Sequence, residues 1–282
     1  MGNNSHKILA LKYRPQKFEE LIGQDAIVTT ISNSIKLEKI PNAYLLSGIR
    51  GVGKTTCARL IGKFINCNKH FDHGKKSKTN EFCHCDEISN SKSLDYIEMD
   101  AASKTGIDNV RELIDSSRYN PVHAKYKVYV LDETHMLSKS SFAALLKTLE
   151  EPPPHLKFIF CTTEVKKIPV TIISRCQRFN LNRVSIKVLF DHLKKISKIE
   201  NGKISDSAIK LIAKAAEGSV RDSLSLLDRA LINQHITNVE VDEAFVREML
   251  GIANRSKILE LLKFIFEGDQ RKSIESIRKM IN

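Results

Sequence analysis

With 282 residues, the chain has room for one full domain and one or two smaller ones. Its 41% hydrophobic content and ordinary counts of Gly (12) and Pro (7) exclude a disordered or fibrous protein. The net charge of +12, from 45 Lys plus Arg against 33 Asp plus Glu, suits work near phosphate backbones. A general lysine bias explains it equally well, because the lysines are spread along the chain. No apolar run approaches the length of a membrane span; Lys157-Phe-Ile-Phe-Cys161 is strand-sized. The start, Met1 to His6, lacks the apolar core of a secretion signal, and His6 stands where a myristoylation site wants Ser or Thr. A cytoplasmic protein with no membrane partner is expected.

In chain order, the first strand-like run is Ala43–Ser47. It leads into Gly48-Ile49-Arg50-Gly51-Val52-Gly53-Lys54-Thr55, which fits G-x-x-x-x-G-K-[ST], and a helical pattern follows from Thr56 to Ile65. The glycines let backbone N–H groups turn inward around phosphates, and the helix N-terminus adds its dipole. Lys54 is expected to reach the β- and γ-phosphates, and Thr55 to bind Mg2+ through its hydroxyl. The bland alternative, a Gly-rich structural turn, does not require a strand before it and a helix after it.

Between Asn66 and Ser93 apolar residues thin out, which reads as an insertion (66–93) in an α/β core. Three of the six cysteines, Cys67, Cys83 and Cys85, fall there, while Cys57, Cys161 and Cys176 do not. In a cytoplasmic chain such clustering points to metal before disulfides.

Three more strand-like runs follow: Tyr96–Met99, Lys127–Leu131 and Lys157–Thr162. Strands alternating with helical patterns predict a parallel sheet covered by helices. The third strand runs out into Asp132-Glu133, where Asp132 would hold the Mg2+ shell and Glu133 would polarise an attacking water. An acidic pair at a strand end is often only solvated; the phosphate loop upstream makes this one a candidate site. The next helix carries Phe142, Leu145, Leu146 and Leu149 in one stripe and is stopped by Pro152-Pro153-Pro154. Thr162 and Thr163 close the fourth strand and place a hydroxyl near the γ-phosphate or the water. Arg175, otherwise an ordinary surface charge, is a candidate finger for a neighbouring subunit.

After about residue 183 the pattern is helical. Ile209, Ile212, Ala213 and Ala216 form one stripe ended by Gly218; Leu224, Leu227 and Leu231 form another. Ile258, Leu261, Leu262 and Ile265 begin a third, and the end at Asn282 inside helical texture points to a fragment of a longer product.

Lys12-Tyr-Arg-Pro-Gln-Lys-Phe-Glu-Glu-Leu-Ile-Gly-Gln24, Gly48–Thr56, Met99-Asp-Ala-Ala-Ser103, Leu131-Asp-Glu-Thr-His-Met-Leu137, Leu145-Leu-Lys-Thr-Leu-Glu-Glu-Pro-Pro153 and Ser174-Arg-Cys176 occur in this order. The series closely resembles the gamma/tau subunits of bacterial DNA polymerase III, from about residue 8 to at least 235. The resemblance implies a P-loop AAA+ domain over 1–183, with a parallel sheet and helices on both faces. A small helical lid over 184–248 and the start of a helical collar over 249–282 would follow. It implies an ATPase that uses ATP and Mg2+ in a hetero-pentamer with other clamp-loader subunits, acting on the sliding clamp and primed DNA.

For single residues it implies that Tyr13, Arg14, Pro15 and Ile22 pack around adenine, with Thr56 completing the phosphate loop. Thr163 resembles the first sensor, Arg175 the finger acting in trans, and Arg221 the second sensor. It also implies a four-cysteine zinc module. Here Cys67 and Cys85 match, and Cys83 only lies nearby, giving C-x-C, so a fourth ligand would be His70 or His73; a degenerate insertion with reduced thiols is the other reading. Thr134 and Cys161 depart from the usual residues without touching the chemistry. Residues after 249 are too few to close a collar, and the long C-terminal extension of tau forms lies outside these 282 residues.

Two rivals remain. One is another AAA+ enzyme, such as a replication-factor small subunit or a branch-migration helicase; Glu150-Glu-Pro-Pro153 and the cysteine-bearing insertion argue for clamp loading over branch migration. A silent scaffold subunit would be expected to have lost Lys54, Asp132 or Glu133. No separated pair of metal-binding carboxylates suggests a polymerase centre.

Overall fold

The computed structural model describes residues 8–67, 85–89, 93–103, 106–237, 239–251 and 255–281. Its helices are α1 Leu9–Lys12, α2 Asp25–Lys36, α3 Lys54–Asn66, α4 Cys85–Ser89, α5 Ile107–Ser117, α6 Lys139–Glu150, α7 Val170–Ile173, α8 Ile186–Ile199, α9 Asp206–Ala215, α10 Val220–Thr237, α11 Glu243–Met249, α12 Arg255–Phe266 and α13 Gln270–Ile281. The strands are β1 Ala43–Ser47, β2 Tyr96–Asp100, β3 Lys127–Asp132, β4 Leu156–Thr162 and β5 Gln177–Asn180. They form one sheet in the order β2-β3-β4-β1-β5, every pairing parallel.

Central β1 and β4 are buried at every position. A strand covered on both faces has no reason to alternate, which is why these two read as continuous apolar runs. Alternate residues nonetheless serve different layers. Tyr44, Leu46, Val128, Val130 and Ile159 join Ile31 of α2 and Leu60, Ile61 and Ile65 of α3 in one core. Ala43, Leu45, Tyr129, Phe158 and Phe160 join Val110 and Leu113 of α5 and Phe142, Leu145 and Leu149 of α6 in the other. This is the period of two that a pleated strand imposes.

β5 was not among the expected strands. Only Phe179 of its four residues is buried, so it has no apolar run to announce it. It is held instead by pairing with β1.

Within α3, Gly62 marks a close approach. A Cβ there would stand 2.4 Å from Cε2 of Tyr96, so the helix can lie this near β2 only without a side chain.

The segment entering β3 is tied down by Asp95, which is 2% exposed. Its carboxylate accepts the backbone N–H groups of Val122, His123 and Ala124 at 2.7, 2.8 and 2.9 Å. Burial by itself would raise this carboxyl, but the three amides outweigh it and hold it below its ordinary 3.8. A carboxylate with a depressed folded value stabilises above its unfolded value, and that contribution disappears as pH falls through the folded one. Asp95→Asn should therefore cost about 1–3 kcal/mol at neutral pH. In urea melts the gap from wild type should narrow as the solution is acidified below about pH 4. A gap independent of pH would contradict the assignment.

The chain divides into two compact units: Leu11–Ser185 with Ser219–Arg221, and Ile186–Gly218 with Asp222–Asn282 and the N-terminal residues through Ala10. The second is helical. Its buried apolar residues include Leu189, Leu193 and Ile196 of α8, Ile209, Ile212 and Ala213 of α9, and Leu224, Leu227 and Leu231 of α10. Ser205 and Asp242 cap α9 and α11 by accepting Ala208 N–H and Phe245 N–H. α12 and α13 pack on each other, with Leu262 and Ile265 of the expected stripe 41% and 52% exposed.

Candidate active site

The crevice at the carboxyl ends of the central strands is where parallel α/β sheets place their ligands. The loop leaving β1 begins at Gly48, whose N–H donates to Thr162 O of β4 at 3.3 Å. Gly51 and Gly53 hold φ of 74° and 105°, a region open to glycine and costly for other residues. At Gly51 space decides as well: a Cβ would stand 2.1 Å from Ser219 Oγ and 3.2 Å from Arg221 Cβ. Arg221 N–H donates to Gly51 O at 3.1 Å. Val52 turns into the core, 2% exposed, and anchors the loop; Arg50 is exposed and Ile49 half-buried.

Lys54 opens α3 and is 6% exposed. Its ammonium donates to Gly48 O at 3.1 Å and Ile49 O at 3.0 Å. Burial lowers its pKa, with Glu133, Cys161 and Asp132 pulling the other way. Thr55 Oγ1 donates to Asp132 Oδ2 at 2.7 Å, so the loop hydroxyl and the β3 carboxylate share one spot. These hard oxygen donors beside a glycine-rich loop and the Lys54 ammonium fit Mg2+ and a phosphate chain.

Glu133 follows with φ 46° and ψ 42°, left-handed backbone that a glutamate adopts only under constraint. Its N–H donates to Asp132 Oδ1 at 2.9 Å. Thr163 Oγ1 lies 3.4 Å from Glu133 Oε2. Thr162, the other candidate hydroxyl, is fully buried and accepts Glu164 N–H at 3.0 Å. It faces His135, which the sequence did not single out.

Among the residues expected near adenine, Arg14 reaches the site by Nε, donating to Thr56 Oγ1 at 3.2 Å. Tyr13, Pro15 and Ile22 are half-buried, and Leu21 stands beside Gly53. Arg175 is engaged elsewhere: Nη2 meets Glu150 Oε1 at 2.5 Å and Nη1 donates to Thr171 O at 2.6 Å.

Of the expected zinc ligands, Cys83, His70 and His73 lie outside the described residues. Cys67 is buried just past α3 and Cys85 opens α4. Among the described residues no three His, Cys, Asp or Glu side chains gather as a metal site. Away from that segment, burial pushes the Cys57 and Cys176 thiols up to about 12, which leaves both protonated and unreactive.

Fold and site together define a P-loop ATPase of the AAA+ kind, one that hydrolyses ATP. Three families match in succession: "DNA polymerase III, delta subunit" over residues 23–185, "DNA polymerase III clamp loader subunit, ATPase lid domain" over 189–235, and "DNA polymerase III subunits gamma and tau domain III" over 241–282. The gamma subunit of Buchnera aphidicola from Schizaphis graminum is 47% identical, over 98% of this chain and 74% of that protein. The chain belongs to the gamma/tau family of DNA polymerase III clamp-loader subunits.

The tau subunit of Escherichia coli K12 is 41% identical, again over 98% of this chain but only 42% of its own length. Among solved structures, the Thermotoga maritima RuvB branch migration motor superposes with a TM-score of 0.63 at 19% identity, covering 90% of this chain and 80% of that one. That likeness shows the shared fold. Among the described residues no helix is long and apolar enough to cross a membrane.

Proposed function

We propose that ATP binding and hydrolysis at this site drive the loading of a sliding clamp onto primed DNA. This chain would be a motor subunit in a hetero-pentamer of cytoplasmic clamp-loader proteins. The observation that carries the reading is the meeting of Lys54, Thr55, Asp132 and Glu133 at the ends of β1 and β3, with Thr55 Oγ1 2.7 Å from Asp132.

In this reading the amides of Gly48–Gly53 and the Lys54 ammonium hold the β- and γ-phosphates. Thr55 and Asp132 hold the magnesium, which when bound neutralises phosphate charge. Glu133 orients and polarises the attacking water, and Thr163, within reach of its carboxylate, reports on the γ-phosphate. Arg221 would act as the second sensor, a reading supported by its backbone N–H donating to Gly51 O of the loop. Tyr13, Arg14, Pro15 and Ile22 line the base side. Arg175 serves the neighbouring subunit.

The corresponding domains are 1–183 for the AAA+ core, 184–248 for the lid and 249–282 for the start of the collar. Zinc at Cys67, Cys83 and Cys85 with His70 or His73 is a proposal carried by the cysteine pattern alone, and metal analysis decides it.

The test is a reconstitution of the full-length protein with its partner subunits, its clamp and primed DNA. Clamp and primer together should stimulate ATP turnover and leave clamp on the DNA. Turnover indifferent to both would overturn the reading.

A further inference from the structure

His135 lies in the 3-10 turn Thr134–Met136 directly after Glu133. Its side chain is 7% exposed. One ring nitrogen, Nδ1, is 3.1 Å from Thr162 Oγ1 and 3.6 Å from Glu133 Oε2. The other, Nε2, is 3.6 Å from Glu164 Oε1. A single imidazole therefore touches the end of β4 through a buried hydroxyl and faces a carboxylate on each edge.

We infer that His135 is a positioning residue for hydrolysis: it holds the Glu133 carboxylate in register with the end of β4, where Thr163 stands. The inference rests on reading Glu133 as the group that polarises water. A glutamate has three rotatable side-chain bonds, and at 33% exposure this one is not fixed by packing alone. A catalytic carboxylate must be held to within roughly 0.5 Å and 10–20° to be useful. The imidazole meets this need because it is itself locked. Turning the ring would forfeit the Thr162 contact and leave a buried nitrogen without a partner. Thr162 is fixed in turn, since its oxygen also accepts Glu164 N–H. The chain of contacts Glu133–His135–Thr162–Glu164 thus joins the two strand ends that carry the acid and the hydroxyl. The bland alternative is a histidine that only fills space under the turn.

Three variants of the full-length protein separate these readings, assayed in the reconstituted complex with clamp and primed DNA. His135→Ala should lower kcat roughly 10–100-fold, the loss that about 1 Å of misplacement brings. KM and the affinity for Mg-ATP should stay within about twofold of wild type. His135→Asn places an amide where Nδ1 was and should recover most of the rate. His135→Gln reaches toward the Nε2 edge and should not. Unchanged kcat in His135→Ala would overturn the inference, as would recovery by Asn and Gln alike or a parallel fall of affinity and kcat. Glu133→Gln is the control. If it is inactive while His135→Ala is fully active, only the His135 inference fails; if it turns over normally, the Glu133 reading fails and this inference with it.

Discussion

Lys54→Ala should abolish tight nucleotide binding while leaving the fold as stable as before, or more so. The ammonium is buried at the mouth of the loop and already held by loop carbonyls, Gly48 O and Ile49 O. Removing one member of a desolvated charge pair costs 2–5 kcal/mol or more, which is roughly 30- to several-thousand-fold in affinity. Stability should move the other way. Burial depresses the lysine's pKa, so at neutral pH the charged form is less comfortable folded than unfolded, and alanine relieves that burden. Titration calorimetry with Mg-ATP at physiological salt, together with a thermal melt, reads both effects. An affinity within about threefold of wild type would remove Lys54 from the phosphate contacts. A melt far below wild type would show it to be structural.

Arg175→Ala should behave in the opposite way: binding intact, turnover lost in the assembled ring. A guanidinium that stabilises transferring phosphate from a neighbouring subunit is worth about 10³–10⁵ in rate, or about 4–7 kcal/mol of barrier. Within its own chain Arg175 contributes little. Its ion pair with Glu150 is half-exposed, with side chains 31% and 51% accessible, and such pairs are worth about 0–1 kcal/mol. The melt should hardly change. Single-turnover hydrolysis in the reconstituted complex is the measurement, and loss of binding equal to that of Lys54→Ala would contradict action in trans.

Some of this was legible because the chemistry is local. The phosphate loop spans eight consecutive residues with a strand before and a helix after, so one window contains strand, turn and helix signals together. The central strands announce themselves by burial on both faces, and α6 by its stripe. Other features depend on residues far apart. β5 has one buried side chain, and its pairing with β1 across about 130 residues leaves no trace in its own four letters. His135 reads as a polar residue of a turn; its partner is Thr162, which stands on another strand. Arg14 reaches Thr56, a contact no spacing rule announces. Gly62 owes its place in α3 to the ring of Tyr96, which stands on β2.

The left-handed backbone at Glu133 sets two demands against each other. A residue without a Cβ would rest there at ease, sparing about 1–2 kcal/mol, but would bring no carboxylate to the water that we propose Glu133 polarises. Durability under heat and the working of the motor thus pull in opposite directions at this one peptide. A lineage selected for robustness alone would surrender the engine at position 133 before it surrendered the scaffold.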